Sequence, residues 1–138
     1  MKRLVTLVTL LAVTAMLLAA CAPAAPANRL EAVKAAGKLI VGTSPDYPPF
    51  ESKDASGNFI GFDVELMNAV AEKMGVTVEW TDMPFDSLVA AVQTGKLDAS
   101  ISAFNYDEER AKQVDFTQAY YTAMDGFLVA DTFAGSIT

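Results

Sequence analysis

The stretch DVELMNAVAEKMGVTVEW, residues 63–80, decides the fold class, because its apolar period changes in the middle. Leu66, Met67, Val70, Ala71 and Met74 recur at helical spacing, with Glu65, Asn68, Glu72 and Lys73 opposite them. Gly75 stands where a helix ends, and Val76 to Trp80 alternates as a strand does. A helix that passes through one glycine into a strand is half of a crossover unit.

The same alternation extends in both directions. Upstream, Arg29 to Ala36 reads as a short helix stopped by Gly37, and Lys38 to Gly42 as a buried strand. Gly57-Asn58 reads as a hairpin turn between Phe50-Glu51 and Phe59-Ile60. Downstream, Asp86 to Thr94 carries Leu88, Val89 and Val92 into a second crossover helix that Gly95 ends. Leu97 to Ala103 is expected as the next strand, Asn105 to Gln113 as the next helix, and Gly126 to Ala130 as a last strand. Strands separated by helices of this length pair in parallel through right-handed crossovers, which makes the chain α/β.

Composition narrows the chemistry. The chain has 138 residues, no His, one Cys, and 10 basic against 17 acidic side chains. A formal charge of -7 argues against nucleic acid and anionic membrane surfaces, both of which reward a basic face. Without His the usual general base and the commonest metal ligand are missing, which leaves catalysis short of its usual tools without excluding it; no catalytic residue, metal or cofactor is expected.

The first residues form a separate segment. Lys2 and Arg3 precede an apolar run from Leu4 to Ala20 in which small residues crowd the end, the pattern of a secretory signal over residues 1–20. A transmembrane helix is the rival reading, and the run sits at the short limit of the ~17–25 residues that spanning takes. Leu18-Ala19-Ala20-Cys21 resembles the bacterial lipobox, which implies lipidation of Cys21, and the APAAPAN that follows makes residues 21–28 a tether.

In a parallel sheet, ligands bind outside the carboxyl ends of the strands. Three segments are placed there: TSPDYPPFE at 43–51, Met83-Pro84-Phe85 before the second crossover helix, and SAFNYDEER at 102–110. Asn105 followed by Glu108 fits a capping box, which would start a helix there and turn its free N–H groups toward the strand end. An anion at that point would gain from the helix terminus and from Arg110. The alternative leaves Arg110 on the surface beside Asp107, Glu108 and Glu109, worth about 0–1 kcal/mol.

VGTSPDYPPFE, then GFDVELMNAVAEKMG, then FDSLVAAVQTGKLDASISAFNYDEERAKQVDFTQAYY resemble the polar amino-acid-binding branch of the bacterial extracellular solute-binding proteins, the receptors of ABC importers. The ordered set is specific where no single motif would be. It implies a type II periplasmic-binding-protein-like fold of two α/β lobes, with the first lobe at 29–130 and residues 131–138 beginning the crossing into a second lobe that the chain lacks. It implies an amino acid as ligand, permease subunits of an ABC importer as partners, and an extracytoplasmic place, in the periplasm or on the outer face of the cell membrane.

By the same resemblance, Arg110 forms a forked pair with the ligand's α-carboxylate. Tyr47 and Phe85 match aromatics that sandwich the ligand's aliphatic part, although filling core is the commoner fate of such rings. Ser102 and Ala103 match positions that contact the ligand through backbone groups. Asn105 stands where the family more often has Thr or Ser, and it serves equally as a helix cap. Ser44 matches a position that is often acidic in members binding cationic or amide side chains, so its neutrality argues against lysine or arginine. The fold also hosts enzymes such as cyclohexadienyl dehydratases and the sensor modules of larger receptors, which are the rival functions.

Overall fold

The computed structural model describes residues 27–123, 126, 128–132 and 135. The expected signal, Cys21 and most of the tether lie outside the described residues. The chain divides into two units, Met1–Asn105 and Tyr106–Thr138.

In the first unit, helix α1 (Arg29–Ala36) leads into β1 (Lys38–Thr43), a hairpin of β2 (Ser52–Lys53) and β3 (Phe59–Ile60), helix α2 (Phe62–Met74), β4 (Thr77–Asp82), helix α3 (Phe85–Gln93) and β5 (Ala99–Ser100). Asn28 caps α1 by accepting from the Glu31 N–H, and Gly37, at φ 68°, closes it in the left-handed region. Gly75, at φ 75°, ends α2 in the same way. The expected helices are therefore in place, with their stops.

The main sheet has the order β4-β1-β5, and both pairings of β1 are parallel. The chain leaves β1 toward one side, reaches β4, and crosses back over β1 to β5. β1 thus has a neighbour on each edge, and its residues alternate between two cores. Leu39 and Val41 pack with Val33, Ala71, Val76 and Ile101, with Leu66, Met67, Met74, Val78 and Trp80 against them. Ile40 lies against Met83, Leu88, Ala91 and Leu97. Gly42 follows Ile40 by two positions. A Cβ there would run into Leu97 Cδ1 and come within 2.8 Å of Leu88 Cδ2, so the close seating of α3 on the sheet requires glycine.

Several expectations are corrected. The hairpin forms two residues later on its first side, at β2, because Tyr47 and Glu51 already pair with each other across the turn. Val70 is exposed, whereas Asp63, on the apolar side of α2, is fully buried. The apolar run at 97–103 pairs as a strand only at Ala99–Ser100, because Ala103 turns away at φ 46°.

In the second unit the helix α4 is short, Glu108–Ala111, and Asp107 caps it by accepting from the Arg110 N–H at 2.9 Å. Asn105 is not its cap: Asp107 offers a carboxylate at the right spacing closer to the helix. Gly126 and residues 128–130 are in no strand, and Phe127 lies outside the described residues.

Candidate functional site

The carboxyl ends of the three parallel strands fall side by side. Thr43 is in register with Asp82, and Gly42 with Ser100. Backbone bonds continue just past the strands, from Met83 N–H to the Thr43 carbonyl at 3.2 Å and from Ile101 N–H to the Gly42 carbonyl at 3.1 Å. The segments that follow β1, β4 and β5 therefore emerge at one edge, where the strand order reverses. A crevice at such a switch point is the usual binding place in this class of sheet.

Ser44, Ser102 and Ala103 are brought together there. The Ser102 hydroxyl accepts from the Ser44 N–H at 3.1 Å and donates to Glu51 Oε1 at 2.9 Å. The Ala103 N–H donates to Asp63 Oδ2 at 2.8 Å. Ser44, Ser102, Glu51 and Asp63 are all buried. Burial is the largest influence on Glu51 and pushes its carboxyl up to about 7; the Ser102 hydrogen bond opposes this, and the neighbouring carboxyls of Asp63 and Asp46 add to it.

The aromatic candidates occupy two places. Tyr47 is exposed, and its ring lies parallel to Phe50 with centroids 5.7 Å apart. Its backbone is fixed by reciprocal bonds with Glu51, at 3.0 and 3.2 Å, and the peptide bond between Pro48 and Pro49 is cis. Phe85 is the first residue of α3; it stacks on Phe104 at 4.5 Å and also packs against the Met83–Leu88–Ala91–Leu97 core. Asn105 is exposed at the end of the first unit, and Asp46 is exposed in the turn after β1.

Arg110 belongs to the second unit. It is half-buried on α4, and its charge helps hold the Asp107 carboxyl below the usual range, after the larger effect of the hydrogen bond from its own backbone N–H. The structure therefore groups Ser44, Ser102 and Ala103 in one network, and places Arg110 on a separate unit.

Sequence reasoning passed over Glu51 and Asp63. A signal existed for the second: Asp63 shares a helical face with Met67, Val70 and Met74, an acid on the apolar side. Nothing in the spacing around Glu51 marks it as buried.

Comparison with known proteins gives the chain its relatives. The model of the bacterial extracellular solute-binding proteins, family 3, matches residues 39–135. The arginine-binding extracellular protein ArtP of Bacillus subtilis (strain 168) is 50% identical over 86 residues, which cover 62% of this chain and 33% of that one. The arginine-bound form of domain 1 of TmArgBP, a point mutant, superposes with a TM-score of 0.67 at 41% identity, over 70% of this chain and 75% of that one. An ancestral cyclohexadienyl dehydratase superposes equally well, with a TM-score of 0.67, at 33% identity over 71% of this chain and 41% of that one. The chain spans about a third of the length of the curated relatives it matches. With the parallel sheet, the converging strand ends and a family match over most of its length, this chain belongs to family 3 of the bacterial extracellular solute-binding proteins.

Proposed function

We propose that this chain is an amino-acid-binding lobe of an extracytoplasmic receptor for an ABC importer, and that its ligand is a cationic amino acid of the arginine type. The observation that carries the reading is the convergence of the segments after β1, β4 and β5 on one sheet edge. The names of the relatives support the ligand class, since they are arginine-, histidine- and lysine/arginine/ornithine-binding proteins. That support outweighs the neutral Ser44, which taken alone points away from a cationic ligand. An arginine-bound domain 1 among the similar structures supports binding by a single lobe. The same names favour a binding protein over the dehydratase reading.

In this proposal Arg110 takes the α-carboxylate in a forked pair, Tyr47 and Phe85 flank the aliphatic part, and Ser44, Ser102, Ala103 and Asn105 line the edge. Cys21 carries the lipid that holds the receptor outside the cell membrane, next to the permease subunits it serves. Calorimetric titration of the full-length chain with L-arginine, L-histidine and L-glutamine tests the ligand, with L-arginine expected to bind most tightly. Arg110→Lys keeps the charge but loses the planar fork, and is expected to cost on the order of 1.5–3 kcal/mol, about ten- to a hundredfold in affinity. Equal affinities in wild type, Arg110→Lys and Arg110→Ala would remove the carboxylate role. Mass spectrometry of the protein extracted from membranes tests the anchor, and an unmodified Cys21 would end that part of the proposal.

A further inference from the structure

Behind the ring of Tyr47 stands a second ring to which the binding reading gives no task. Phe50 lies parallel to Tyr47, with 9° between the planes and 5.7 Å between the centroids, which is an offset stack. Phe62 meets Phe50 edge-on at 6.3 Å, so three rings follow one another from the turn after β1 to the first residue of α2. Tyr47 is 57% exposed although one of its faces lies along Phe50, so the exposure comes from the other face and the rim.

The backbone beneath these rings leaves the turn little freedom. The Tyr47 carbonyl accepts from the Phe50 N–H at 3.0 Å and from the Glu51 N–H at 3.2 Å, and the Tyr47 N–H donates to the Glu51 carbonyl. On its far side the turn is bonded to the start of α2: the Phe62 N–H donates to the Pro49 carbonyl and the Asp63 N–H to the Phe50 carbonyl, both at 3.0 Å. These are amides that a helix start leaves without intrahelical partners, and Gly61 offers no side chain to cap them. A Cβ on Gly61, which sits at φ 125°, would lie 2.3 Å from the Phe50 carbonyl oxygen, so only glycine lets helix and turn come this close. The helix thus seats the backbone of Phe50, and the ring of Phe50 seats Tyr47.

We propose that Phe50 is a positioning residue that acts through Tyr47, holding its exposed ring as a fixed flat wall for the ligand, with the N-terminus of α2 as the footing. A wall that is fixed beforehand spares binding the cost of ordering an exposed side chain. A fixed plane also discriminates between cations. The planar guanidinium of arginine gains by lying parallel to the ring, whereas the ammonium of lysine is a compact, strongly hydrated point charge with no plane to align. The preference expected is L-arginine over L-lysine. That preference rests on the binding function proposed above; the order of the Tyr47 ring does not.

Phe50→Leu removes the flat ring and keeps an apolar side chain; Phe50→Tyr keeps the ring. In full-length chain with isotope-labelled tyrosine, NMR relaxation reads the order of the Tyr47 ring, whose signal is the one of four that Tyr47→Leu removes. The ring is expected to be ordered in wild type and Phe50→Tyr and to loosen in Phe50→Leu. A mobile ring in wild type, or an equally ordered one in Phe50→Leu, would overturn the proposal. In calorimetric titration, affinity for L-arginine is expected to fall about two- to tenfold in Phe50→Leu, the worth of an aromatic pair, and to return in Phe50→Tyr. The preference for L-arginine over L-lysine is expected to shrink with it. Equal losses for both ligands would mark a general weakening of the fold and would overturn the positioning role. In a Tyr47→Leu background, Phe50→Leu is expected to cost nothing further, and losses that add would show that Phe50 does not act through Tyr47. No binding of L-arginine by wild type would count against the proposed function, while the order of the ring still decides what Phe50 does for Tyr47.

Discussion

At the scale of single residues, the space left at Gly42 is as informative as any side chain. Gly42→Ala adds one methyl where Leu97 and Leu88 already close in, and overpacking of this kind costs about 1–3 kcal/mol. Urea unfolding is expected to show a lower midpoint with an unchanged slope. Glu51 makes a prediction in the other direction. Its native carboxyl keeps its proton to about 7, against 4.5 in an unfolded chain, so the folded state binds more protons within that window. The stabilisation is complete below 4.5, declines as the pH rises, and is gone above about 7. Glu51→Gln is expected to flatten this part of the stability profile, by on the order of 3 kcal/mol between its two ends. Neither residue was legible as special in the sequence. A glycine inside an apolar strand shows only that the strand is interrupted, and which methyl groups face it depends on how α3 is seated. A glutamate after two prolines looks like surface until the turn folds it under Ser102.

At the scale of elements, what could be read followed from how local each signal was. The stops at Gly37 and Gly75 are fixed by φ at one residue, and both helices end there as expected. β5 is the opposite case. Leu97 to Ala103 has the composition of a long strand, yet Leu97 fills the core under α3 and Ala103 is pulled out of line by Asp63, so pairing is confined to two residues. The short β5 depends on a side chain beside it. Asp98 accepts from the Ile40 N–H at 2.8 Å and pairs with Arg29 on α1, and its side chain is only 5% exposed. It ties α1, β1 and β5 together. Asp98→Ala leaves the Ile40 N–H without its acceptor, while Arg29 stays exposed to water, and is expected to cost about 1–3 kcal/mol. Asn28→Ala removes only the cap of α1 and is expected to cost about 0.5–2 kcal/mol. Chemical unfolding of both variants checks the order. The start of α4 was misjudged for a different reason: Asn105 and Asp107 both qualify as caps, and the choice between them is made by chain geometry beyond the local pattern.

At the scale of the whole molecule, every buried residue among those described belongs to the first unit. Burial is what gives amides protection, so hydrogen exchange is expected to be slow through β1, α2 and β4 and fast across α4. Equal protection in the two units would contradict this. The α/β class and the convergence of three segments were legible because crossover topology follows from the order of elements. The division of the chain after Asn105 was not, because it follows from long-range packing that no local pattern carries. The central position of β1 also bears on the order of events during synthesis. Both of its neighbours are made after it: Lys38 waits 41 residues for Glu79, and Gly42 waits 58 for Ser100. At about 5–20 residues per second the second interval lasts roughly 3–12 s. Until β4 is made both edges of this apolar strand are open, and until β5 is made one of them still is, so a holding chaperone has its natural place on residues 38–43.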